Sequence, residues 1–102
     1  MNYNKAVRDK IPEIIKKDGH ESKVQTLSDD EFLLKLEEKL VEELQEYQES
    51  KSVEELADIL EVIYRIVQLR GTSKEHLEEI RTKKADDKGK FEKNLFLIES
   101  SD

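Results

Sequence analysis

Hydrophobic residues recur along this chain at helical spacing, and polar start and stop signals separate the segments that carry them. Gly19, Gly71 and Gly89 each follow such a segment, in the position of a left-handed residue that closes a helix. Pro12 suits the first turn of a helix. The pattern predicts four helices, at about residues 10–18, 29–49, 53–70 and 73–88.

Serine or threonine precedes three of these helices and is followed three positions later by glutamate, which is the pattern of a capping box. The three pairs are Ser28 with Glu31, Ser52 with Glu55, and Thr72 with Glu75. Two short segments, residues 22–27 and 94–98, lie outside the helices, and each is suited to a short strand that pairs with the other. The sequence therefore predicts one all-α domain over residues 1–102, with a helical hairpin core of about four helices and two segments that optionally pair as strands.

The second and third predicted helices differ in the number of apolar faces. The second has one stripe, formed by Leu33, Leu36, Leu40, Leu44 and Tyr47. The third has two stripes, one of Val53, Leu56, Ala57, Leu60, Ile63, Tyr64 and Val67, the other of Ile59, Val62, Ile66 and Leu69. A helix that is apolar on two faces is buried on two sides. Because so short a chain has few other apolar helices, we expect one face to contact another subunit in a homodimer or homotetramer.

Composition and charge exclude several classes of function. Lys and Arg number 18 against 25 Asp and Glu, so the formal net charge is −7, which argues against a nucleic-acid-binding protein. No apolar run approaches the ~20 residues that cross a bilayer, and the first residues lack the apolar core of a secretory signal. The absence of cysteine excludes disulfides and thiolate metal sites. We therefore expect a soluble cytoplasmic protein that binds neither nucleic acid nor membranes.

The negative charge is concentrated on the second and third predicted helices, where residues 37–61 include ten acidic and two basic side chains. Glu43 and Glu46 are three apart and project from one side of their helix, as Glu55 and Asp58 do on the next. The short connection between the helices predicts an antiparallel hairpin, which brings the two pairs face to face. Four facing carboxylates at the edge of a core repel one another unless they are protonated or neutralised by a cation.

A hard divalent cation meets this requirement. Mg²⁺, with Mn²⁺ as a substitute, prefers carboxylate oxygens and completes its coordination with water and phosphate. No histidine or cysteine lies in the cluster, which disfavours zinc, and no Glu-x-x-His occurs, which disfavours a di-iron site. We therefore interpret Glu43, Glu46, Glu55 and Asp58 as candidate Mg²⁺ ligands.

A plainer interpretation of the same residues stays open. Glu55 fits the third position of a capping box, and Asp58 fits a first-turn residue favoured by the helix dipole. Glu42, Glu43, Glu46 and Glu49 fit an ordinary solvated helix face. The placement of Glu55 and Asp58 on an otherwise apolar face favours a functional interpretation.

These residues resemble the signature of a known family. The run Glu42-Glu43-Leu-Gln-Glu46 followed by Glu55-Leu-Ala-Asp58 is similar to that of the all-α nucleoside triphosphate pyrophosphohydrolases, which include MazG-type enzymes and phosphoribosyl-ATP pyrophosphohydrolase. The ends resemble those of a MazG-like house-cleaning branch, through Tyr3-Asn4-Lys5-x-Val7-Arg8-Asp9-Lys10-Ile11-Pro12 and Lys84-x-x-x-Lys88-Gly89-x-Phe91. The resemblance covers nearly the whole chain, although the gap between Glu46 and Glu55 is shorter than in many MazG proteins.

The resemblance implies Mg²⁺-dependent hydrolysis of nucleoside triphosphates between the α and β phosphates, giving a monophosphate and pyrophosphate, as house-cleaning of non-standard nucleotides. It assigns the metal to Glu43, Glu46, Glu55 and Asp58. It also matches Glu42 to a glutamate for a further metal or for water activation, so we take Glu42 and Glu43 as catalytic candidates.

The basic ends of the chain are suited to contact the phosphates of such a substrate. The candidate substrate-binding residues are Lys5, Arg8, Lys10, Lys84 and Lys88. Arg8 is the strongest candidate because a guanidinium binds phosphate in bidentate fashion. From the sequence alone, Arg8→Ala is expected to raise KM for the nucleotide while leaving Mg²⁺ affinity nearly unchanged. The plainer role of these side chains is solubility and helix C-terminal charge.

Two other functions stay open. One is phosphoribosyl-ATP pyrophosphohydrolase of histidine biosynthesis, against which the segment of residues 3–12 argues by analogy. The other is a non-enzymatic acidic helical adaptor or regulatory oligomer, which would share the charge and the two-faced third helix. Stabilisation by Mg²⁺ separates an adaptor from an enzyme of this kind.

Overall fold

A computed structural model describes residues 3–101 and contains four α-helices in that range. They are α1 (Ile11–Lys17), α2 (Asp29–Ser50), α3 (Val53–Leu69) and α4 (Lys74–Lys88). Each boundary lies within one residue of its predicted position, so the prediction of an all-α chain with four helices is confirmed. None of the described residues belongs to a strand.

Helices α2 and α3 form the antiparallel hairpin that organises the molecule. Only Lys51 and Ser52 connect them, and Lys51 takes a left-handed conformation (φ 58°) in which its N–H donates to the carbonyl of Tyr47 at 2.7 Å. Ser52 then begins α3, because its Oγ accepts a hydrogen bond from the N–H of Glu54 at 3.1 Å. A link this short is typical of an αα-hairpin, and α2 and α3 pack side by side.

The predicted capping serine is correct at two helices, but the predicted partner bonds need revision. Ser28 accepts a hydrogen bond from the N–H of Glu31, which is one half of a capping box, whereas its hydroxyl, and not its backbone N–H, donates to the Glu31 carboxylate. Ser52 caps α3 through Glu54, so the carboxylate of Glu55 is not the capping partner. The third box was wrong, because α4 is capped by Ser73.

The shift at α4 follows from the way α3 ends. Gly71 (φ 87°) donates its N–H to the carbonyl of Gln68, and Thr72 donates to Val67, which together form a Schellman turn. The backbone of Thr72 therefore completes α3, and the next residue, Ser73, begins α4 by accepting from the N–H of His76 at 3.1 Å.

The two optional strands do not form in the part of the chain that is described. Residues 22–27 and 94–98 are both irregular. An isolated pair of strands is marginally stable in water unless another element covers its apolar face, and the side chains of residues 95–98 are almost fully exposed.

The core lies between α2, α3 and the N-terminal segment. Ala6, Leu36 and Val62 are buried in its centre, and the half-buried side chains around them are Phe32, Leu40, Ile66 and Leu69. Of the two apolar stripes on α3, the one that contains Val62 thus packs against α2. Much of the other stripe is open, because Val53, Leu56 and Leu60 are 79%, 44% and 45% exposed.

The molecule is elongated for its size. Its radius of gyration is 18.0 Å and its extents are 59 × 32 × 23 Å, whereas a compact domain of this length has a radius of about 13 Å. Among the helices, α4 contacts α3 alone. Over residues 3–101, no helix combines the length and the hydrophobicity that crossing a membrane requires.

Candidate metal centre

Three carboxylates meet where the core of the hairpin ends. Glu43 projects from α2, and Glu55 and Asp58 project from α3, so that one oxygen of each lies within 4.8 Å of the others. Glu43 is only 6% exposed, and the other two residues are partly buried. Glu42, Glu43 and Glu46 form a second such group with the same spacing of oxygens. Glu43 belongs to both groups and is the centre of the cluster.

Helical periodicity explains why carboxylates occupy this place. Leu36 and Glu43 are seven residues apart and lie on the same face of α2, two turns from each other. On α3, Asp58 precedes the buried Val62 by one turn, and Glu55 precedes it by two. The acidic residues therefore continue the rows of apolar side chains that form the core, toward the loop that joins the two helices.

Two oxygens of the cluster lack a hydrogen-bond donor. Glu43 Oε2 and Glu55 Oε2 are buried, and neither has a hydrogen-bond partner among the described residues. Buried polar atoms in native proteins are nearly always satisfied, since burying an unpaired one costs about 1–3 kcal/mol. These two buried oxygen atoms accept no hydrogen bond, and all the side chains that could coordinate a metal here are carboxylates. Both features fit a hard divalent cation such as Mg²⁺.

The cluster alters the protonation of its own members. Burial raises the pKa of the Glu55 carboxyl, and the adjacent Glu43, Glu46 and Asp58 raise it further. Repulsion from Glu43, assisted by burial, raises the pKa of Glu46. Both shifts show that ionising every carboxylate here is unfavourable, and a bound cation would reverse that preference.

Three basic side chains surround the carboxylates. Lys5 Nζ lies 3.1 Å from Glu42 Oε1, and Arg8 Nη2 donates to Asp58 Oδ1 at 2.8 Å. Lys39 Nζ lies 3.1 Å from Glu43 Oε1 and 3.6 Å from Glu42 Oε1. These cations compensate part of the negative charge of the cluster. Each contacts a carboxylate that was predicted from the sequence to take part in catalysis or metal binding.

The hydrogen bond from Lys5 lowers the pKa of Glu42, outweighing the opposing effect of its partial burial. For Lys39, burial acts to lower the pKa, but the hydrogen bond to Glu43 and the surrounding negative charge outweigh it and raise the pKa. Glu42 and Lys39 are therefore both ionised near neutral pH.

The sequence-based prediction did not include Lys39. Its spacing of four residues from Glu43 on one helix was a signal that could have identified it.

A cleft of about 430 Å³ opens beside the cluster, between the N-terminal segment and the hairpin. Arg8 and Lys10 line it from one side, as predicted for the basic N-terminal end, and Lys39 and Arg65 add positive charge from the helices. Phe32 contributes an apolar wall. Four acidic side chains also line the cleft: Asp9, Glu43, Asp58 and Glu61. The cleft therefore brings basic side chains next to the acidic cluster without a net positive charge of its lining.

The structure separates the two groups of predicted substrate-binding residues. Lys5, Arg8 and Lys10 lie around the cluster or its cleft. Lys84 and Lys88 lie on α4, which contacts only α3, and no hydrogen bond or ion pair within residues 3–101 joins either of them to the carboxylates. Their role in substrate binding stays a prediction, and a single chain does not bring them to the site.

The site combines partly buried carboxylates, buried oxygens without a hydrogen-bond donor, and an adjacent cleft lined by both basic and acidic side chains. Comparison of the chain with protein-family models, with curated proteins and with solved structures found no match. The chemistry of the site therefore has to be inferred from its own residues and from the resemblance of its motifs.

Proposed function

We propose that this protein is a Mg²⁺-dependent nucleoside triphosphate pyrophosphohydrolase, which cleaves between the α and β phosphates and releases a nucleoside monophosphate and pyrophosphate. The observation that carries the proposal is the meeting of Glu43 with Glu55 and Asp58 across the hairpin, with buried oxygens that no donor satisfies. The resemblance of the acidic motif and of both chain ends supports the same activity. Mn²⁺ is expected to substitute for Mg²⁺.

Glu43, Glu46, Glu55 and Asp58 are the residues proposed to hold the metal. Bound Mg²⁺ supplies positive charge against the negative charge of the triphosphate and of the leaving pyrophosphate. Without it, the net negative charge of the cluster would repel the substrate.

The cleft is proposed to hold the nucleotide. Arg8, Lys10 and Arg65 offer cations to phosphate oxygens, and the guanidinium groups suit bidentate contacts. Phe32 offers an apolar surface in the same cleft. Phosphates at the carboxylate end of the cleft would lie beside the proposed metal ligands.

Glu42 is the residue proposed to activate water. Its carboxylate stays ionised because Lys5 lowers its pKa, and it lies beside Glu43 at the edge of the metal cluster. An ionised carboxylate in this place accepts a proton from the water that attacks phosphorus. The bond from phosphorus to the bridging oxygen then breaks, and pyrophosphate leaves.

The test is pyrophosphate release with Mg²⁺ across a panel of canonical and modified nucleoside triphosphates and phosphoribosyl-ATP. We expect activity in the wild type and its loss in Glu55→Gln and in Asp58→Asn. Glu38→Gln, which removes an exposed carboxylate from α2, is the matched control and should keep full activity. Preference for phosphoribosyl-ATP would replace the house-cleaning proposal with a histidine-biosynthetic one.

No release from any substrate by folded protein with either metal would contradict the proposal. It would favour the adaptor or regulatory oligomer, in which the carboxylates serve no metal. We propose a homo-oligomer in either case, because much of the outer stripe of α3 is left open by the described chain.

A further inference from the structure

The C-terminal segment that follows α4 is apolar and exposed. Five large side chains within residues 91–98 are between 80% and 98% exposed: Phe91, Leu95, Phe96, Leu97 and Ile98. Single exposed apolar residues are common, but a contiguous group of this size marks an interaction site. We call residues 89–98 the C-terminal arm.

A second apolar surface is exposed on α3. Val53, Leu56 and Leu60 follow one another at steps of three and four, so they lie on one side of the helix. They are the most exposed large members of the apolar stripe that faces away from the core. We call these three residues the outer face of α3.

We propose that the arm of one chain packs on the outer face of α3 in a second copy of the chain. Two copies related by a twofold axis would satisfy both surfaces twice with one kind of contact. Each copy carries one arm and one face, so the pairing needs no other protein. This proposal is independent of the enzymatic activity proposed above.

The accessible surface of the chain is large enough for a second copy of the chain to cover part of it. The accessible surface is 9539 Å², whereas a compact monomer of 12.0 kDa has about 6,000 Å². The excess of about 3,500 Å² is well above the ~600–1,000 Å² that each partner contributes to a standard interface. Obligate homodimers bury about 2,000–5,000 Å² over both partners, or about 1,000–2,500 Å² per chain, so the excess of one chain is sufficient for such an interface.

Sedimentation velocity at micromolar concentration tests the arm and the face separately. We expect a dimer or a larger oligomer for the wild type, and at least a tenfold weaker association for Phe96→Asp in the arm and for Leu60→Asp on the face. Val24→Asp is the matched control, because Val24 is equally apolar and 63% exposed but lies outside both surfaces. Circular dichroism verifies that each variant keeps its helices.

Cross-linking identifies the contact itself, and the natural absence of cysteine makes it specific. A tagged chain with Phe96→Cys is mixed with an untagged chain with Leu56→Cys, and the mixture is oxidised. We expect a disulfide-linked heterodimer, and none when Val24→Cys replaces Leu56→Cys. A monomeric wild type, an oligomer insensitive to both aspartate variants, or a disulfide formed only within a chain that carries both cysteines would overturn the proposal.

Discussion

Arg8 donates a hydrogen bond to Asp58 at 2.8 Å, although fifty residues separate them in the chain. The contact holds the N-terminal segment against α3, beside the place where Ala6 enters the core. It also puts a guanidinium on one of the four candidate metal ligands. A basic side chain proposed to bind phosphate thus contacts a carboxylate proposed to bind Mg²⁺.

Replacing Arg8 is expected to change both metal and substrate binding. Arg8→Gln frees Asp58, so Mg²⁺ should bind more tightly, by at most about fivefold, because the exposed ion pair is worth no more than ~1 kcal/mol. The same change should raise KM for the nucleotide. Calorimetric titration of Mg²⁺ and steady-state kinetics measure the two effects. The sequence alone predicted nearly unchanged Mg²⁺ affinity, and that result would show that the Arg8–Asp58 contact has little effect on metal binding.

Mg²⁺ should stabilise the wild type against heat. A ligand at a hundred times its Kd adds about 2.7 kcal/mol to the free energy of unfolding, which differential scanning fluorimetry detects as a rise in Tm. Glu55→Gln and Asp58→Asn should each lose most of this rise, and Glu38→Gln should retain it. An equal rise in all four proteins would place the binding of Mg²⁺ elsewhere.

In the metal-free protein, the contribution of Glu46 and Glu55 to stability should fall as pH rises above about 4.5, the ordinary pKa of glutamate. Glu46 and Glu55 have raised pKa values in the folded state, so the folded chain binds more protons than the unfolded chain between the ordinary and the raised values. The free energy of unfolding contributed by these groups therefore falls as pH rises through that window.

The difference in Tm between wild type and Glu55→Gln in EDTA isolates this effect from the rest of the molecule. We expect the Tm of the variant to increase relative to the Tm of the wild type as pH rises from about 4.5 to 7.5. The pKa of Glu42 is lowered, so its contribution to stability changes with pH in the opposite direction. That change occurs only at pH values below the ordinary pKa of glutamate, outside the range of this experiment. A constant difference across the range would show that Glu55 does not titrate in this window.

Lys39 should stabilise the protein in the absence of metal. It pairs with Glu43, whose side chain is nearly buried, and Lys39→Met leaves that carboxylate with no cation in contact from its own helix. We expect a loss of about 1–3 kcal/mol in EDTA, the cost of a buried polar group without its partner, and partial recovery with Mg²⁺. Urea unfolding measures both.

Lys35→Met is the matched control for this variant. Lys35 lies one turn earlier on α2 and pairs at 3.4 Å with the exposed Glu38, so its replacement should cost less than ~1 kcal/mol. Equal losses in the two variants would mean that Lys39 has no special part in neutralising Glu43.

Local chemistry determined the helices and part of the site. The caps at Ser28 and Ser52, the turn at Gly71 and the apolar spacing act within a few residues, and they predicted the helix boundaries to within one residue. The two-residue connection between α2 and α3 similarly made it predictable that Glu43 faces Glu55 and Asp58. These features depend on neighbours in the sequence, which is why the sequence was sufficient.

Only the tertiary structure decided the rest. It selected the stripe containing Val62 to face α2, paired Arg8 with Asp58, and set Lys84 on a helix that contacts α3 alone. It also left residues 94–98 uncovered instead of pairing them as a strand. Each of these outcomes depends on which distant segments of the chain pack together. That packing depends on how much apolar surface the whole fold removes from water and on which charges it brings together, and a pattern within a few residues does not contain this information.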